Sequence, residues 1–262
     1  MTAPYIQQCK AEGKKIAMLT CYDYTMANLL DNAGIEMILV GDSAANVMAG
    51  YETTLPITLD QMIYHCASVK RGIKRALLVA DLPFGTYQGN KERALLSAFR
   101  MMKEGQAEAL KLEGGAEVAD TVQTLAQSGI PVMGHLGLTP QSVNQFGGYG
   151  LRAKAEAEAA KLLSDAEALQ DAGAFAIVLE KIPATLAATV TTKLSIPVIG
   201  IGAGNRCDGQ VLVVQDMLGM TTHHLPKFVR KYADVATTMD TAVKSYIADV
   251  KNGNFPNENE SY

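Results

Sequence analysis

Eight short runs rich in Val, Ile, Leu and Met, each followed by a longer stretch of helical periodicity, constrain this chain more than any other feature. The strand candidates are residues 15–21, 37–42, 76–81, 109–113, 131–136, 174–180, 197–201 and 210–214. Helical patterns cover 24–32, 59–71, 91–104, 117–127, 153–171 and 184–193, and 227–250 reads as one or two closing helices. Continuous apolar strands joined by helices require a parallel sheet covered by its own crossovers. Eight units over 262 residues give about 33 residues each, close to one βα repeat. A closed (β/α)8 TIM barrel, in the α/β class, fits this count better than a doubly wound open sheet. Several helices close on Gly, at Ala33-Gly34, Glu104-Gly105, Ser128-Gly129 and Ala172-Gly173, where glycine accepts the left-handed conformation. No Pro/Ser-rich linker divides the chain, so it reads as one barrel domain over 1–262 with a polar tail at about 251–262.

Composition removes several classes of function. Apolar residues make up 48% and charged residues 19%, which describes a packed core and excludes a disordered chain. The 27 acids against 23 bases leave no basic stripe, and no nucleic-acid motif is present, so a nucleic-acid partner is not expected. The longest apolar runs are five or six residues, against roughly 18 needed to span a bilayer. No membrane partner is expected either. Residues 1–15 are polar and lack the apolar segment of a secretory signal, which points to the cytoplasm. Cys9, Cys21, Cys66 and Cys207 show no C-x-x-C spacing and read as reduced, mostly structural thiols.

The ends of the strand candidates carry the chemistry, because the active site of a parallel barrel lies at its C-terminal rim. Five consecutive strands end in Asp42-Ser43, Asp81, Lys111 with Glu113, His135, and Glu180. Period-two alternation puts Lys111 and Glu113 on one face, with Leu110 and Leu112 on the other. Leucines belong against the outer helices, so the charged pair faces inward. A single Asp after a strand is ordinarily a helix N-cap or a salt-bridge partner. Three or four acids and one Lys converging on one mouth are different, since they repel one another unless a cation and a ligand neutralise them. Hard oxygen donors without clustered His or Cys select Mg²⁺, expected on Asp42 and Asp81. His135 alone is more often a hydrogen-bonded barrel residue than a ligand. His223-His224 reads as a solvated or packing pair. Gly200-Ile201-Gly202-Ala203-Gly204 reads as close backbone packing or substrate approach, since Asn205 breaks the dinucleotide spacing.

A metal with open positions chelates a 2-oxo acid and favours loss of a proton from the adjacent carbon. Lys111 would add positive charge beside the acid. Glu180, on its own strand after Ala176-Ile177-Val178-Leu179, is the candidate base, with a salt bridge to Lys181 or Lys111 as its plain structural role. A Schiff-base aldolase with Lys111 as nucleophile is the chemical rival, and the neighbouring acids oppose it by keeping the amine protonated.

Several segments carry a family resemblance: Cys21-Tyr22-Asp23-Tyr24, Val40-Gly41-Asp42-Ser43, Thr54-Leu55-Pro56, Ala80-Asp81-Leu82-Pro83-Phe84 and Lys111-Leu112-Glu113-Gly114-Gly115. They continue with Gly134-His135-Leu136-Gly137-Leu138-Thr139-Pro140-Gln141-Ser142-Val143, Phe146-Gly147-Gly148-Tyr149, Leu179-Glu180, Ile199 to Gly204 with Asp208-Gly209-Gln210, and Pro226-Lys227-Phe228. In this order, over about residues 14 to 255, the chain resembles the ketopantoate hydroxymethyltransferase family. The resemblance implies a barrel of the phosphoenolpyruvate/pyruvate type. It also implies transfer of a hydroxymethyl group from 5,10-methylenetetrahydrofolate to 3-methyl-2-oxobutanoate, giving 2-dehydropantoate for pantothenate biosynthesis. It assigns Mg²⁺ to Asp42 and Asp81, with Glu113 as a further ligand, directly or through water. It sets the 2-oxo acid against Asp42, Ser43, Asp81 and Lys111, makes Glu180 the proton acceptor, and keeps His135 nearby as support. Similar enzymes are homo-oligomers, usually decamers.

The chain departs from the family pattern at Ala44-Ala45-Asn46, at Gly50-Tyr51-Glu52-Thr53-Thr54 and at His223-His224, which bears on loop shape and substrate fit. Two other readings stay open from the residues. One is another Mg-dependent 2-oxo acid lyase or aldolase of the same barrel superfamily, and the other is a non-catalytic barrel that binds a small acid.

Overall fold

The computed structural model describes residues 1–222 and 225–262, so the His223-His224 pair lies outside the described residues. The chain forms two compact units, Met1–Val213 and Val214–Tyr262. In the first, α1 (Ala3–Ala11) leads into β1 (Ile16–Thr20), α2 (Tyr24–Ala33), β2 (Met37–Val40), α3 (Ala44–Val47), α4 (Leu59–Gly72), β3 (Leu77–Asp81) and α5 (Lys91–Lys103). It continues with β4 (Ala109–Glu113), α6 (Ala116–Gln127), β5 (Val132–Gly137), α7 (Val143–Phe146), α8 (Glu156–Asp171), β6 (Ala176–Glu180), α9 (Ala184–Lys193), β7 (Val198–Ile201) and β8 (Gly209–Leu212). The strands pair in chain order, all parallel, and β8 returns to β1 through Ile16↔Gly209 and Met18↔Val211. The eight apolar runs thus close into the expected (β/α)8 barrel. Among the described residues no helix is long and apolar enough to cross a membrane, and all four cysteines are buried and free.

Alternation along the strands separates the barrel interior into two chemistries. The inward positions read Leu77, Val79, Asp81 on β3; Ala109, Lys111, Glu113 on β4; Met133, His135 on β5; and Ala176, Val178, Glu180 on β6. Their lower, apolar members join Met18, Met37, Leu39, Ile199 and Val211 in one buried cluster that also takes Ile6 of α1. Each Val, Leu, Ile or Met side chain among them, fully buried, contributes roughly 1.5–3 kcal/mol. Their upper members are all ionisable, so the apolar floor holds the reactive layer in place.

Several local expectations shift for physical reasons. α1 falls in a segment that reads as merely polar, because only Ala3, Ile6 and Cys9 of its nine residues are buried; Thr2 caps it and Pro4 sits in its first turn. Gly105 does not take the left-handed conformation after α5. Gln106 does, with φ +58, while a Cβ at Gly105 would lie 2.7 Å from the Met101 carbonyl oxygen. α8 begins at Glu156 rather than 153 because Ala153 has φ +54. β8 starts at Gly209 rather than 210, where a Cβ would stand 2.4 Å from Ile16 O, and ends before Val214 opens α10 (Val214–Met217). The glycine run after β7 is close-packed as expected: a Cβ at Gly204 would lie 2.5 Å from that of Ala184.

The second unit contains α10 and α11 (Val235–Asn252), a single helix where 227–250 allows one or two. Asp234 caps its start through the Thr237 amide, and Gly253 at φ +70 ends it.

Gly137 ties the fold to the reactive layer. It ends β5 at φ +92, and a Cβ there would lie 2.3 Å from the backbone oxygen of Glu180. Gly137→Ala combines a strained backbone with a clash and is expected to lose about 2 to 4 kcal/mol of stability. A urea denaturation midpoint equal to that of the wild type would contradict this.

Candidate active site

Strand register brings the upper layer together. Asp81 pairs with Lys111 across β3 and β4, and Glu113 pairs with His135 across β4 and β5. Lys111 Nζ stands 2.8 Å from Asp81 Oδ1 and donates to His135 Nδ1 at 3.2 Å. A lysine ammonium has no acceptor to offer, so Nδ1 is the unprotonated ring nitrogen and the neutral ring carries its proton on Nε2. That nitrogen faces Glu180 Oε2 at 3.3 Å, while Glu113 Oε1 approaches Nδ1 at 3.4 Å. Asp81, Lys111, Glu113 and His135 are all at most 5% exposed, as is Asp42. Glu180 is half-buried, with 15% of its side chain open to solvent.

The loops after β2 and β5 complete the cluster. The Asp42 amide donates to Asp81 Oδ2 at 3.0 Å, which folds the β2 end onto β3. Ser43 begins α3 without capping it; its hydroxyl instead lies 2.8 Å from that of Tyr22, a fully buried residue. Ala44 and Ala45, where the chain departs from the family pattern, are both buried, so small side chains fit this turn. Pro140 opens a short 3₁₀ turn that presents Gln141 to the cluster. Gln141 donates from Nε2 to Asp42 Oδ2 at 2.9 Å and from its backbone N–H to Glu113 Oε2 at 2.9 Å. Tyr87 lies behind it, accepting from the Glu113 amide at 3.0 Å.

All seven anticipated residues therefore meet at the rim or on the loops directly after it. Gln141, Tyr87 and Tyr22 join them without having been singled out as site residues. The available signal was weak: all are uncharged, and only their tertiary partners mark them.

Charge is out of balance at this mouth. Burial, reinforced by Asp81 and Glu113, raises the Asp42 carboxyl well above its usual range. Burial likewise pushes Glu113 up to about 7, against the opposing charge of Lys111. For Lys111 burial alone would favour the neutral amine, but Asp81, Glu113 and Asp42 together outweigh it and hold the ammonium above the ordinary lysine value. Imine formation at Lys111 is correspondingly disfavoured. Burial and the adjacent Lys111 lower His135, consistent with a neutral ring.

The donor set suits a hard cation. Glu113 Oε1 is buried without a hydrogen-bond partner, and the Asp42 backbone N–H donates to the Asp81 carboxylate. Among the described residues no three His, Cys, Asp or Glu side chains converge closely enough to enclose an ion by themselves. Mg²⁺ needs only one or two carboxylates and fills the rest of its octahedron with water and substrate oxygens. Next to the end of β4 lies a cavity of about 410 Å³ lined by Gly114, Gly115, Thr139, Phe146, Arg152 and Asp165, among others. None of the seven residues lines it.

Residues 1–258 match the sequence model of the family described as Ketopantoate hydroxymethyltransferase. The 3-methyl-2-oxobutanoate hydroxymethyltransferase of Bacteroides thetaiotaomicron is 61% identical over 262 residues, covering 100% of this chain and 96% of its own length. That of Porphyromonas gingivalis is 60% identical over 100% of this chain and 96% of its own. Among solved structures, phosphonopyruvate hydrolase in complex with oxalate and Mg²⁺ superposes with a TM-score of 0.63 at 12% identity, over 99% of this chain and 93% of that one. A 2,3-dimethylmalate lyase of the PEP mutase/isocitrate lyase superfamily gives 0.60 at 15% identity, over 99% and 91%. Both likenesses show the barrel fold.

Protonation of Glu113 has a measurable consequence for the cation-free protein. A carboxyl raised from 4.5 to about 7 on folding contributes stability that is complete below the unfolded value and lost as pH rises through the folded one. In chelator-treated protein the melting temperature is therefore expected to fall between about pH 5 and pH 8, and less steeply in Glu113→Gln. Equal slopes in the two proteins would contradict the raised value.

Proposed function

The chain belongs to the ketopantoate hydroxymethyltransferase family, and from that premise we propose that it transfers a hydroxymethyl group from 5,10-methylenetetrahydrofolate to 3-methyl-2-oxobutanoate. The product is 2-dehydropantoate, a precursor in pantothenate biosynthesis. The observation that carries the mechanism is the buried, register-matched cluster of Asp81, Lys111, Glu113 and His135 with Glu180 at its open side.

Asp42 and Asp81 would hold Mg²⁺, with Glu113 reaching it directly or through water. When bound, the ion supplies Lewis acidity toward the keto and carboxylate oxygens of the 2-oxo acid. Lys111 places a fixed positive charge in the same water-poor layer, where it steadies the negative charge that develops as C3 loses its proton. Ser43, at the start of α3 and within reach of Tyr22, orients the acid from the β2 side. Glu180 takes the C3 proton. Its Oε2 is turned toward His135 Nε2, which leaves Oε1 as the accepting atom. His135 thus positions the base, and Lys111 in turn fixes the tautomer of His135. The carbanionic C3 then forms the new carbon–carbon bond to the folate's methylene carbon while the two bonds from that carbon to folate nitrogens break. One water is consumed, its oxygen becoming the product hydroxyl, and tetrahydrofolate leaves with one proton from that water and the one taken from C3 on its nitrogens. Family membership also supports a homo-oligomer, decameric in similar enzymes, working in the cytoplasm.

The test is production of 2-dehydropantoate from 3-methyl-2-oxobutanoate, methylenetetrahydrofolate and Mg²⁺. Glu180→Gln is expected to lower kcat by about 10²–10⁴-fold with little change in KM for the 2-oxo acid. Chelation is expected to abolish turnover, Mg²⁺ to restore it, and borohydride to trap no adduct on Lys111. Wild-type protein that forms no product, or Glu180→Gln that turns over at the wild-type rate, would overturn the reading.

A further inference from the structure

Asp42, Asp81 and Glu113 are the carboxylates of the proposed cation site, and in each the structure ties one oxygen to an N–H donor. Asp81 Oδ2 accepts from the Asp42 amide at 3.0 Å. Asp42 Oδ2 accepts from Gln141 Nε2, and Glu113 Oε2 from the Gln141 amide, both at 2.9 Å. Two of the three ties thus come from one residue, reaching strands β2 and β4 at once. Of the other oxygens, Asp81 Oδ1 stands 2.8 Å from Lys111 Nζ, and Glu113 Oε1 is buried without a hydrogen-bond partner.

The orientation of the Gln141 amide is over-determined. Nε2 donates both its hydrogens, to Asp42 Oδ2 and to the Leu82 carbonyl at 3.0 Å. Oε1 lies 2.8 Å from the Tyr87 hydroxyl and 2.8 Å from Gln88 Nε2, both of which donate to it. All four hydrogen-bonding positions of a primary amide are therefore filled. A flipped amide would set Oε1 against a carboxylate and a carbonyl, so the donor end must face Asp42. Glu at this position would bring a further negative charge against Asp42, whereas Leu would keep the volume and lose the donor.

We propose that Gln141 is a positioning residue for divalent-cation binding. On the reading that Asp42, Asp81 and Glu113 form the cation site, it fixes which oxygen each of Asp42 and Glu113 turns toward the ion. Tyr87 is its support, holding the Oε1 end of the amide and the Glu113 backbone together. Residues that orient metal ligands from behind typically change metal affinity by about 10–100-fold when removed.

Mn²⁺ binding to the full-length, chelator-treated protein, followed by electron paramagnetic resonance, separates this inference from the reading beneath it. Wild type is expected to bind Mn²⁺ and Asp42→Asn to lose that binding. Gln141→Leu is expected to weaken it by about 10–100-fold, and Tyr87→Phe to weaken it by less. A purely structural role would lower the melting temperature of cation-free Gln141→Leu and leave the Mn²⁺ affinity of the folded protein unchanged, which would overturn the inference. Should Gln141→Leu fail to fold, Tyr87→Phe decides, and wild-type affinity in that variant overturns the inference. If wild type itself takes up no Mn²⁺, the cation site falls, and the role of Gln141 with it.

Discussion

One lysine shares the mouth of a barrel with four carboxylates, and everything above the apolar floor is arranged around that imbalance. Lys111 and Asp81 form an ion pair almost wholly removed from water, with side chains 5% and 3% exposed. Such a pair is weak evidence for stability, because desolvating two charges offsets much of their attraction. Its cost makes sense as preorganisation. The ammonium is held in a fixed place among Asp42, Asp81 and Glu113, where on the proposed mechanism negative charge developing on a bound acid would meet it without solvent reorganisation. The same burial leaves Asp42 and Glu113 with raised carboxyl values and an orphaned oxygen on Glu113. A divalent cation at the proposed site would relieve both.

The strands divide labour along their length. Leu77, Val79, Ala109, Met133 and Val178 pack the lower interior, and the same inward faces end in Asp81, Lys111, His135 and Glu180. Barrels place stability at the bottom and chemistry at the C-terminal rim, and here one alternation rule delivers both. Backbone donors then finish what register begins. The Asp42 and Gln141 N–H groups each steady a carboxylate carried by a different strand.

Much of this was legible in the residues. β4 reads Ala-Leu-Lys-Leu-Glu, and period two alone turns Lys111 and Glu113 inward, as the structure has them. Asp81, His135 and Glu180 could be read because each closes an apolar run. Gln141 could not be singled out, since an uncharged residue in a loop carries no periodicity, and its bond to Asp42 spans 99 residues of sequence. Tyr87 is hidden for the same reason: its partner Gln141 is 54 residues away. In the fold, α1 is hidden in the sequence because a short helix that buries three residues leaves almost no periodic signal. Gly105 is ambiguous in the sequence because a glycine after a helix marks either a left-handed turn or a close approach, and only the position of Met101 distinguishes them.

The central claim is that Glu180 removes the C3 proton of a 2-oxo acid held in a cation-bearing, lysine-flanked mouth. Proton exchange at C3 of 3-methyl-2-oxobutanoate in D₂O, followed by NMR with Mg²⁺ present and folate absent, isolates that step from the transfer that follows it. Loss of the C3–H signal with wild type and its persistence with Glu180→Gln is the expected result. Exchange at the same rate in both proteins would contradict it.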